Sequence, residues 1–354
     1  MIDILKDILP YISGLYTLPW ILVGFVVTVI LAKIIGREKI DTIMKKIGVI
    51  LLYFFIPVLV FRIFLNTDFG KNEIEFAIVV SVIVFLMYIL AFLFAEYKAK
   101  SWGLTDSIKR LFIKTVLTNQ GRSSAFIGGA LLASPWKIEA AIYIALVGIA
   151  LFAIIPYILS FMHKKEIDNK ESKEVKTLPW FLKLYPWYLI AFVIAAVGIH
   201  GATGFTTKDL GHDYEIILLF YSAITIPAAL YYVGAGIHPN DLKKNELKKL
   251  FNIDKKNKTD DHWKWVRNIF FLTVIVTPII TAFVLTPFFA FGLISSAWFA
   301  VIIINSILPI TSTNMFLVPY GIDKKSTAHA VTWTTIFSVP IIVILIAVFG
   351  IYLK

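Results

Sequence analysis

The chain has 354 residues, of which 58% are hydrophobic and 16% are charged, and its formal net charge is +11. Soluble domains are about 45–50% apolar, so this composition excludes an ordinary soluble protein and indicates a polytopic membrane protein. The sequence contains no cysteine, which excludes disulfides, thiolate metal sites and thiol catalysis, and we expect neither a metal nor a cofactor.

Ten stretches approach the length of about 20 apolar residues that a helix needs to cross a bilayer core about 30 Å thick. We predict spans near 18–36, 47–65, 74–95, 110–133, 138–161, 180–199, 214–237, 266–287, 297–320 and 327–352. The predicted fold class is therefore an all-α polytopic membrane protein with ten transmembrane helices.

Residues 1–10 precede the first span and alternate apolar with charged side chains, for example Ile2, Asp3, Ile4 and Lys6. This alternation predicts a short helix that lies in the membrane interface. We expect no cleavable signal peptide.

Most Lys and Arg residues lie in the loops that follow odd-numbered spans. By the positive-inside rule these loops are cytoplasmic, which predicts a multi-pass protein of the cell membrane with both termini outside. Membrane orientation thus accounts for the positive charge, and we expect the lipid bilayer rather than nucleic acid as a partner.

The polar stretch 163–177 divides the ten spans five and five, and a second, Lys/Asn/Asp-rich stretch covers 238–262. Both are predicted to be linkers. Five spans is an odd number, so a duplicated half re-enters the membrane inverted. We predict a first repeat at 1–162, a cytoplasmic linker at 163–178 and a second repeat at 179–354.

The two halves also share local features. Pro57 and Pro227 lie within the second span of each half, and the fourth span of each half is interrupted by polar residues at 118–124 and 308–314. Interrupted helices persist in hydrocarbon only where they face protein or a water-filled cavity. Paired interruptions predict a transport site at the bilayer midplane.

We expect polar residues and a proline in both interruptions to bind the transported solute. They are Asn119, Gln120, Arg122, Ser123 and Ser124 in the first, and Pro309, Thr311, Ser312, Thr313 and Asn314 in the second. The proline frees a carbonyl in the preceding turn. The alternative is that the Ser and Thr hydroxyls bond back to their own helix.

Arg122 is the most informative of these residues, because a cation at mid-span costs from about 2.5 to more than 10 kcal/mol. One interpretation is that its guanidinium binds an anionic substrate bidentately, assisted by the N–H groups at the start of a half-helix. The other is that Arg122 pairs with carbonyls of the other broken helix.

Lys114 and Arg62 are further cations within predicted spans. Lys114 is either an outer counter-charge for the anion or a cation that snorkels to the membrane surface, with snorkelling favoured. Arg62 is predicted to be an interface anchor.

No Asp or Glu lies near the middle of a predicted span. Proton or sodium coupling usually needs such a carboxylate, so we expect an anion to move down its potential or gradient without a dedicated ion site. Carbonyl and hydroxyl groups remain able to hold Na⁺. His329 is the one histidine near the core and the one considered for coupling.

Several short motifs resemble the auxin efflux carrier (PIN-like) family over essentially the whole chain. They are 56–61 (Ile-Pro-Val-Leu-Val-Phe), 123–131 (Ser-Ser-Ala-Phe-Ile-Gly-Gly-Ala-Leu), 227–234 (Pro-Ala-Ala-Leu-Tyr-Tyr-Val-Gly), 306–309 and 318–323. The chain departs from the family pattern at Ser123, where the family has asparagine, and at Ala130, where it has proline.

The resemblance implies an inverted-repeat elevator fold of the bile-acid-symporter/PIN-like kind, commonly a homodimer. Helices one, two, six and seven would form a scaffold, and the other six would form a transport domain in which helices four and nine cross at the substrate. Family substrates are mostly small organic anions such as auxin-like compounds and carboxylates.

Two alternatives remain beside an organic-anion carrier. One is a cation- or sodium-coupled symporter of related fold. The other is an intramembrane enzyme, for which the sequence lacks clustered Asp residues or a His-Glu-x-x-His motif, so we expect no catalytic residues. A channel or sensor is disfavoured because the loops are too short for a folded soluble domain.

Overall fold

The computed structural model describes residues 2–9, 17, 19–123, 131, 136–168, 180–251, 261–311, 314, 317, 318 and 320–353. These residues are helical, with turns and one isolated bridge but no strand. The helices are α1 Ile2–Ile8, α2 Trp20–Ile35, α3 Arg37–Leu65, α4 Lys71–Ser101, α5 Asp106–Thr118, α6 137–168, α7 Trp180–Thr203, α8 His212–Ala235, α9 Lys244–Leu250, α10 261–290, α11 Ser296–Ile307 and α12 Lys324–Tyr352.

Six of these helices are long and apolar enough to cross a membrane, namely α3, α4, α7, α8, α10 and α12. Shorter apolar helices are α2 and α11. The chain is therefore a helical, multi-pass membrane protein. Ten spans remain a prediction, partly because much of the second half of the fourth and ninth spans lies outside the described residues.

Several helices extend into segments that were predicted to be loops. α3 begins at Arg37 directly after Gly36, whose φ of +89° separates it from α2. The first predicted linker begins inside α6, which ends at Asp168, and the second contains α9. Lys and Glu are good helix formers, so these polar segments continue a helix or start a new one. A prediction based on apolar residues alone ends the helix too early. The predicted N-terminal helix is present as α1.

Three helices contain a π-helical turn immediately before a proline. These turns are Leu51–Phe55 in α3, Ala150–Ile154 in α6 and Leu272–Val276 in α10. Proline lacks an N–H, and its ring clashes with the carbonyl four residues earlier, so a wider turn relieves the clash. Pro227, which pairs with Pro57 in the predicted repeat, lies instead in the uninterrupted α8. The matching prolines therefore do not produce matching local geometry.

The chain forms two compact units, each drawn from several parts of the sequence. Unit 1 consists of Met1–Val80, Ser124–Leu146 and Leu184–Ile237. Inside it α2 and α8 approach at their backbones, because a Cβ on Gly24 would overlap Tyr231 and a Cβ on Gly234 would overlap Ile21. The side chain of Arg37 donates to the carbonyl of Ala235 at the end of α8 (3.1 Å).

Unit 2 consists of Ser81–Ser123, Val147–Lys183 and His238–Lys354. Phe112 on α5 lies between the rings of Trp102 and Trp265, with centroid distances of 5.2 and 5.1 Å. Buried alanines at four-residue spacing on α4, Ala91, Ala95 and Ala99, belong to the same core. This core contains residues of α5 and also Ile310, which follows α11, so it joins the ends of both interrupted helices within one unit.

Candidate functional site

The two interrupted helices of unit 2 meet where each of them ends. α5 ends at Thr118 and α11 ends at Ile307, and the extended segments that follow pair as an antiparallel bridge between Arg122 and Ile310. The N–H of Ser123 donates to the carbonyl of Pro309 (2.8 Å), and the N–H of Thr311 donates to the carbonyl of Gly121 (3.0 Å). This main-chain pairing, hereafter the crossing, satisfies backbone groups that a broken helix leaves open.

The crossing is also tied to α12. The N–H of Ile310 donates to Oγ1 of Thr334 (3.1 Å), while that hydroxyl donates to the carbonyl of Ala330 (2.7 Å). The second extended segment is therefore fixed on both sides, by the first interruption and by α12.

Pro309 does not act as the sequence predicted. Its missing N–H was expected to leave a free carbonyl in the preceding turn, but that carbonyl, on Asn305, accepts the N–H of Leu308 (3.3 Å). Pro309 ends α11 instead of interrupting it, and its own carbonyl serves the crossing.

Most of the predicted site residues are brought together at the crossing and are buried. Arg122 is 2% exposed, and the other buried members are Asn119, Gln120, Ser123, Thr311 and Asn314. Ser124, Ser312 and Thr313 lie outside the described residues. A buried polar group without a hydrogen-bond partner costs about 1–3 kcal/mol of stability. A cluster of buried polar side chains therefore indicates a structural or functional role.

Two asparagines near the ends of α5 and α11 make the same kind of hydrogen bond. Nδ2 of Asn119 donates to the carbonyl of Thr115 and Nδ2 of Asn305 donates to that of Val301, both at 2.8 Å. Within the part of the chain that the structure describes, Oδ1 of each has no hydrogen-bond partner. Asn305 was not among the predicted site residues, although an amide four residues before Pro309, which ends the helix, indicates such a position.

Donor groups also collect at the crossing. Nη2 of Arg122 donates to Oε1 of Gln120 (3.3 Å), which directs the amide nitrogen of Gln120 away from the guanidinium. Among the described residues, Nε2 of Gln120, Oγ of Ser123 and both side-chain polar atoms of Asn314 have no hydrogen-bond partner. Cation, amides and hydroxyl together form a site suited to a small molecule with acceptor oxygens.

The dipoles of the interrupted helices act on the crossing. The positive half-helix N-terminus expected beside Arg122 stays a prediction, because the second halves of both spans lie largely outside the described residues. What the structure places at the crossing are the C-terminal ends of α5 and α11, which carry the negative end of the helix dipole. Arg122 follows Thr118, the last residue of α5, after three intervening residues, and its positive charge opposes the negative end of that helix dipole.

Lys114 was expected to snorkel towards the membrane surface, and that prediction is wrong. Its side chain is 2% exposed, and Nζ donates to the carbonyl of Tyr320 (3.3 Å). Its ammonium is therefore held inside unit 2, between α5 and the segment that leads to α12.

Gly121 has no room for a side chain, since a Cβ would lie 2.6 Å from Oδ1 of Asn314 and 2.7 Å from Cδ1 of Leu151. We expect Gly121→Ala to displace Asn314 and to lower the affinity for a bound solute about tenfold or more, with a loss of stability of about 1–3 kcal/mol. Thermal unfolding and ligand titration of the purified protein measure the two effects.

The control is Gly198→Ala in α7, where a Cβ meets nothing within 4 Å. Alanine there is expected to be neutral or stabilising by up to about 1 kcal/mol. Equal behaviour of the two variants would contradict the close packing at the crossing.

No protein-family model and no curated protein matches this sequence. The resemblance to auxin efflux carriers therefore remains a proposal that depends on the motifs of the sequence.

Proposed function

We propose that the protein is a secondary carrier that moves a small organic anion, auxin-like or a carboxylate, across the membrane and binds it at the crossing. The observation that carries this proposal is the burial of Arg122 at the meeting point of two interrupted helices. The planar guanidinium matches a carboxylate, and Gln120 and Ser123 add neutral donors.

The cost of burying a charge supports this assignment. A cation inside a helical membrane protein is expensive and is typically found on a substrate or ion pathway. Nη2 of Arg122 hydrogen-bonds to Oε1 of Gln120, a neutral amide. A carboxylate bound beside it supplies the opposite charge.

The sorting of the chain into two units supports an elevator mechanism. Unit 1 takes the first two predicted spans together with the sixth and seventh, and unit 2 takes most of the third, fifth, eighth, ninth and tenth with the first half of the fourth. In the elevator fold that the resemblance implies, the substrate site belongs to one moving body. Both extended segments of the crossing belong to unit 2, so a rigid movement of that unit carries the site with it.

The test is uptake by liposomes that contain the purified protein. We expect radiolabelled organic anions of the panel indole-acetate, malate, malonate and lactate to enter faster than in empty liposomes, at least for one member. A neutral sugar and tetramethylammonium serve as non-anionic controls. Uptake of the cation alone, or of no anion, would contradict the proposal.

A cation-coupled symporter is the second candidate, and one observation favours it. Oδ1 of Asn119, Oδ1 of Asn305 and Oγ1 of Thr118 have no hydrogen-bond partner in the described part of the chain, and two helix C-termini lie beside them. Such oxygens and dipole ends coordinate Na⁺ in carriers with broken helices. Uptake that requires a sodium gradient would favour this candidate.

A further inference from the structure

Two histidines in unit 2 contact each other directly. Nε2 of His262, at the start of α10, lies 3.2 Å from Nδ1 of His329 in the first turns of α12. Their ring centroids are 4.9 Å apart. Hereafter these two residues are the histidine pair.

Each outer end of the pair faces an aspartate. Nε2 of His329 lies 3.2 Å from Oδ1 of Asp241, and Nδ1 of His262 lies 3.0 Å from Oγ of Ser326 and 3.8 Å from Oδ2 of Asp323. Burial acts to raise the pKa of Asp241, but the hydrogen bond and charge of His329 outweigh it and lower that pKa. Burial likewise acts on Asp323, but His262 and Ser326 lower its pKa to about 2. Both carboxylates are therefore ionised at neutral pH.

Further charged groups surround the pair. Those on neighbouring elements are Glu246, whose charge acts on His329, Lys249, which is 2.8 Å from Glu246, and His238, whose charge acts on Asp241. Lys324 and Lys325 at the start of α12 are exposed, and the carbonyl of Lys325 lies 3.1 Å from Nδ1 of His329. Asp241 and Asp323 are the carboxylates that face the ring nitrogens of the pair directly.

Counting donors and acceptors gives the number of protons that the pair accommodates. In the neutral pair, Ser326 donates to His262, His262 donates to His329, and His329 donates to Asp241. With one added proton, His329 donates from both nitrogens, to Asp241 and to the carbonyl of Lys325, and His262 donates towards Ser326 and Asp323. A second added proton would place two N–H groups against each other across the 3.2 Å contact. The pair thus accepts one proton and resists two.

A chain of hydrogen bonds links the pair to the crossing. Oγ1 of Thr115 accepts the N–H of Asp323 (2.9 Å), and Oγ1 of Thr327 donates to the carbonyl of Asp323 (2.9 Å). Nδ2 of Asn119 donates both to that Thr327 hydroxyl (3.1 Å) and to the carbonyl of Thr115 (2.8 Å). Asp323 therefore contacts the histidine pair on one side and, through two threonines, holds Asn119 on the other.

We propose that His262 and His329 together bind a single proton, and that this proton and the anion at the crossing promote each other's binding, so that transport depends on pH. The inference rests on the proposed function for its second half. Two opposite charges in one unit attract each other, and Asp323 links the two sites, because its carboxylate faces His262 while its backbone bonds to Thr115 and Thr327. Linkage then requires that each ligand raises the affinity for the other by the same factor.

The proton site is tested without any substrate. The protein has six histidines, so labelling their rings with ¹³C gives few enough NMR signals to follow individually. His262→Gln and His329→Gln identify the two signals, and we expect both signals to move together with one shared midpoint. Independent titration of both rings to the fully charged form, or no change in either, would overturn the single-proton site.

The linkage is tested by measuring anion affinity as a function of pH. In the wild type we expect affinity to fall about fivefold or more as the pH rises through the midpoint, and in His329→Gln to be independent of pH. His200→Gln removes a histidine that lies 2.9 Å from Asp68 in unit 1 and serves as the matched control with a wild-type profile. A pH-independent wild type would overturn the linkage.

Asp323→Asn tests the same proton site by NMR titration if a histidine variant fails to fold. Oδ2 of Asp323 accepts the N–H of Ser326 as the cap of α12, and asparagine caps a helix equally well. Loss of the carboxylate charge should move the shared midpoint to lower pH, and an unchanged midpoint would contradict the role of Asp323. If no anion binds at any pH, the carrier proposal fails, while the NMR titration still decides whether the proton site exists.

Discussion

Arg122→Gln is expected to reduce anion uptake by about a hundredfold at low substrate concentration. Removing one member of a buried, hydrogen-bonded charge pair costs about 2–5 kcal/mol, and each 1.4 kcal/mol corresponds to a factor of ten. Arg122→Lys keeps the charge but loses the bidentate fork, so we expect a loss of about tenfold. Initial rates in liposomes with equal protein content measure both.

The fold is expected to survive the Arg122 substitutions. The crossing is held by main-chain hydrogen bonds of Ser123 and Thr311, which a change of side chain at position 122 leaves in place. Replacing a buried cation with a neutral amide also removes a desolvation cost. Arg62→Gln makes the same chemical change in unit 1 and should retain uptake; wild-type uptake by Arg122→Gln would contradict the proposed role of Arg122.

Gly234→Ala is expected to destabilise the protein more than any other alanine substitution proposed for this chain. A Cβ at Gly234 overlaps the carbonyl of Ile21, which belongs to the backbone of α2 and cannot rotate away. Small residues permit such close approach of membrane helices, and overpacking costs about 1–3 kcal/mol or more even where side chains can adjust. We expect a loss at the top of that range, seen as a lower unfolding temperature and less folded protein after extraction.

Gly24→Ala provides an independent check, because its Cβ overlaps Tyr231 from the opposite helix of the same contact. Gly198→Ala again serves as the control in a neighbouring helix without contacts at that position. If Gly234→Ala unfolded at the wild-type temperature, the close contact between α2 and α8 would be wrong.

The sequence was sufficient to locate the two interruptions but not to describe their geometry. Polar residues after Thr118 and Leu308 predicted breaks, and the helices do end at Thr118 and Ile307. The bridge between Arg122 and Ile310 could not be predicted, because it is formed by main-chain groups that every residue type carries. The C-terminal helix ends at the crossing were missed for a related reason, since polarity marks a break without showing which half-helix faces it.

Other features depend on partners that are distant in sequence. Lys114 reads as a snorkelling residue from its position near a span end, but its partner is the carbonyl of Tyr320. His262 and His329 looked like unrelated loop and helix residues, and only packing of α10 against α12 brings their rings together. Pro57 and Pro227 lie within helices, as the sequence predicted. Pro57 follows a π turn and Pro227 does not, a difference that depends on the local packing of each helix.

The central claim is that the crossing binds an anion through Arg122, and thermal unfolding of the purified protein tests it most directly. A ligand that binds only the folded state stabilises it by about 2.7 kcal/mol at a hundred times its dissociation constant. We predict that the transported anion raises the unfolding temperature of the wild type in a concentration-dependent manner and leaves that of Arg122→Gln unchanged at the same concentrations. Equal stabilisation of both proteins would contradict the claim and place the anion elsewhere.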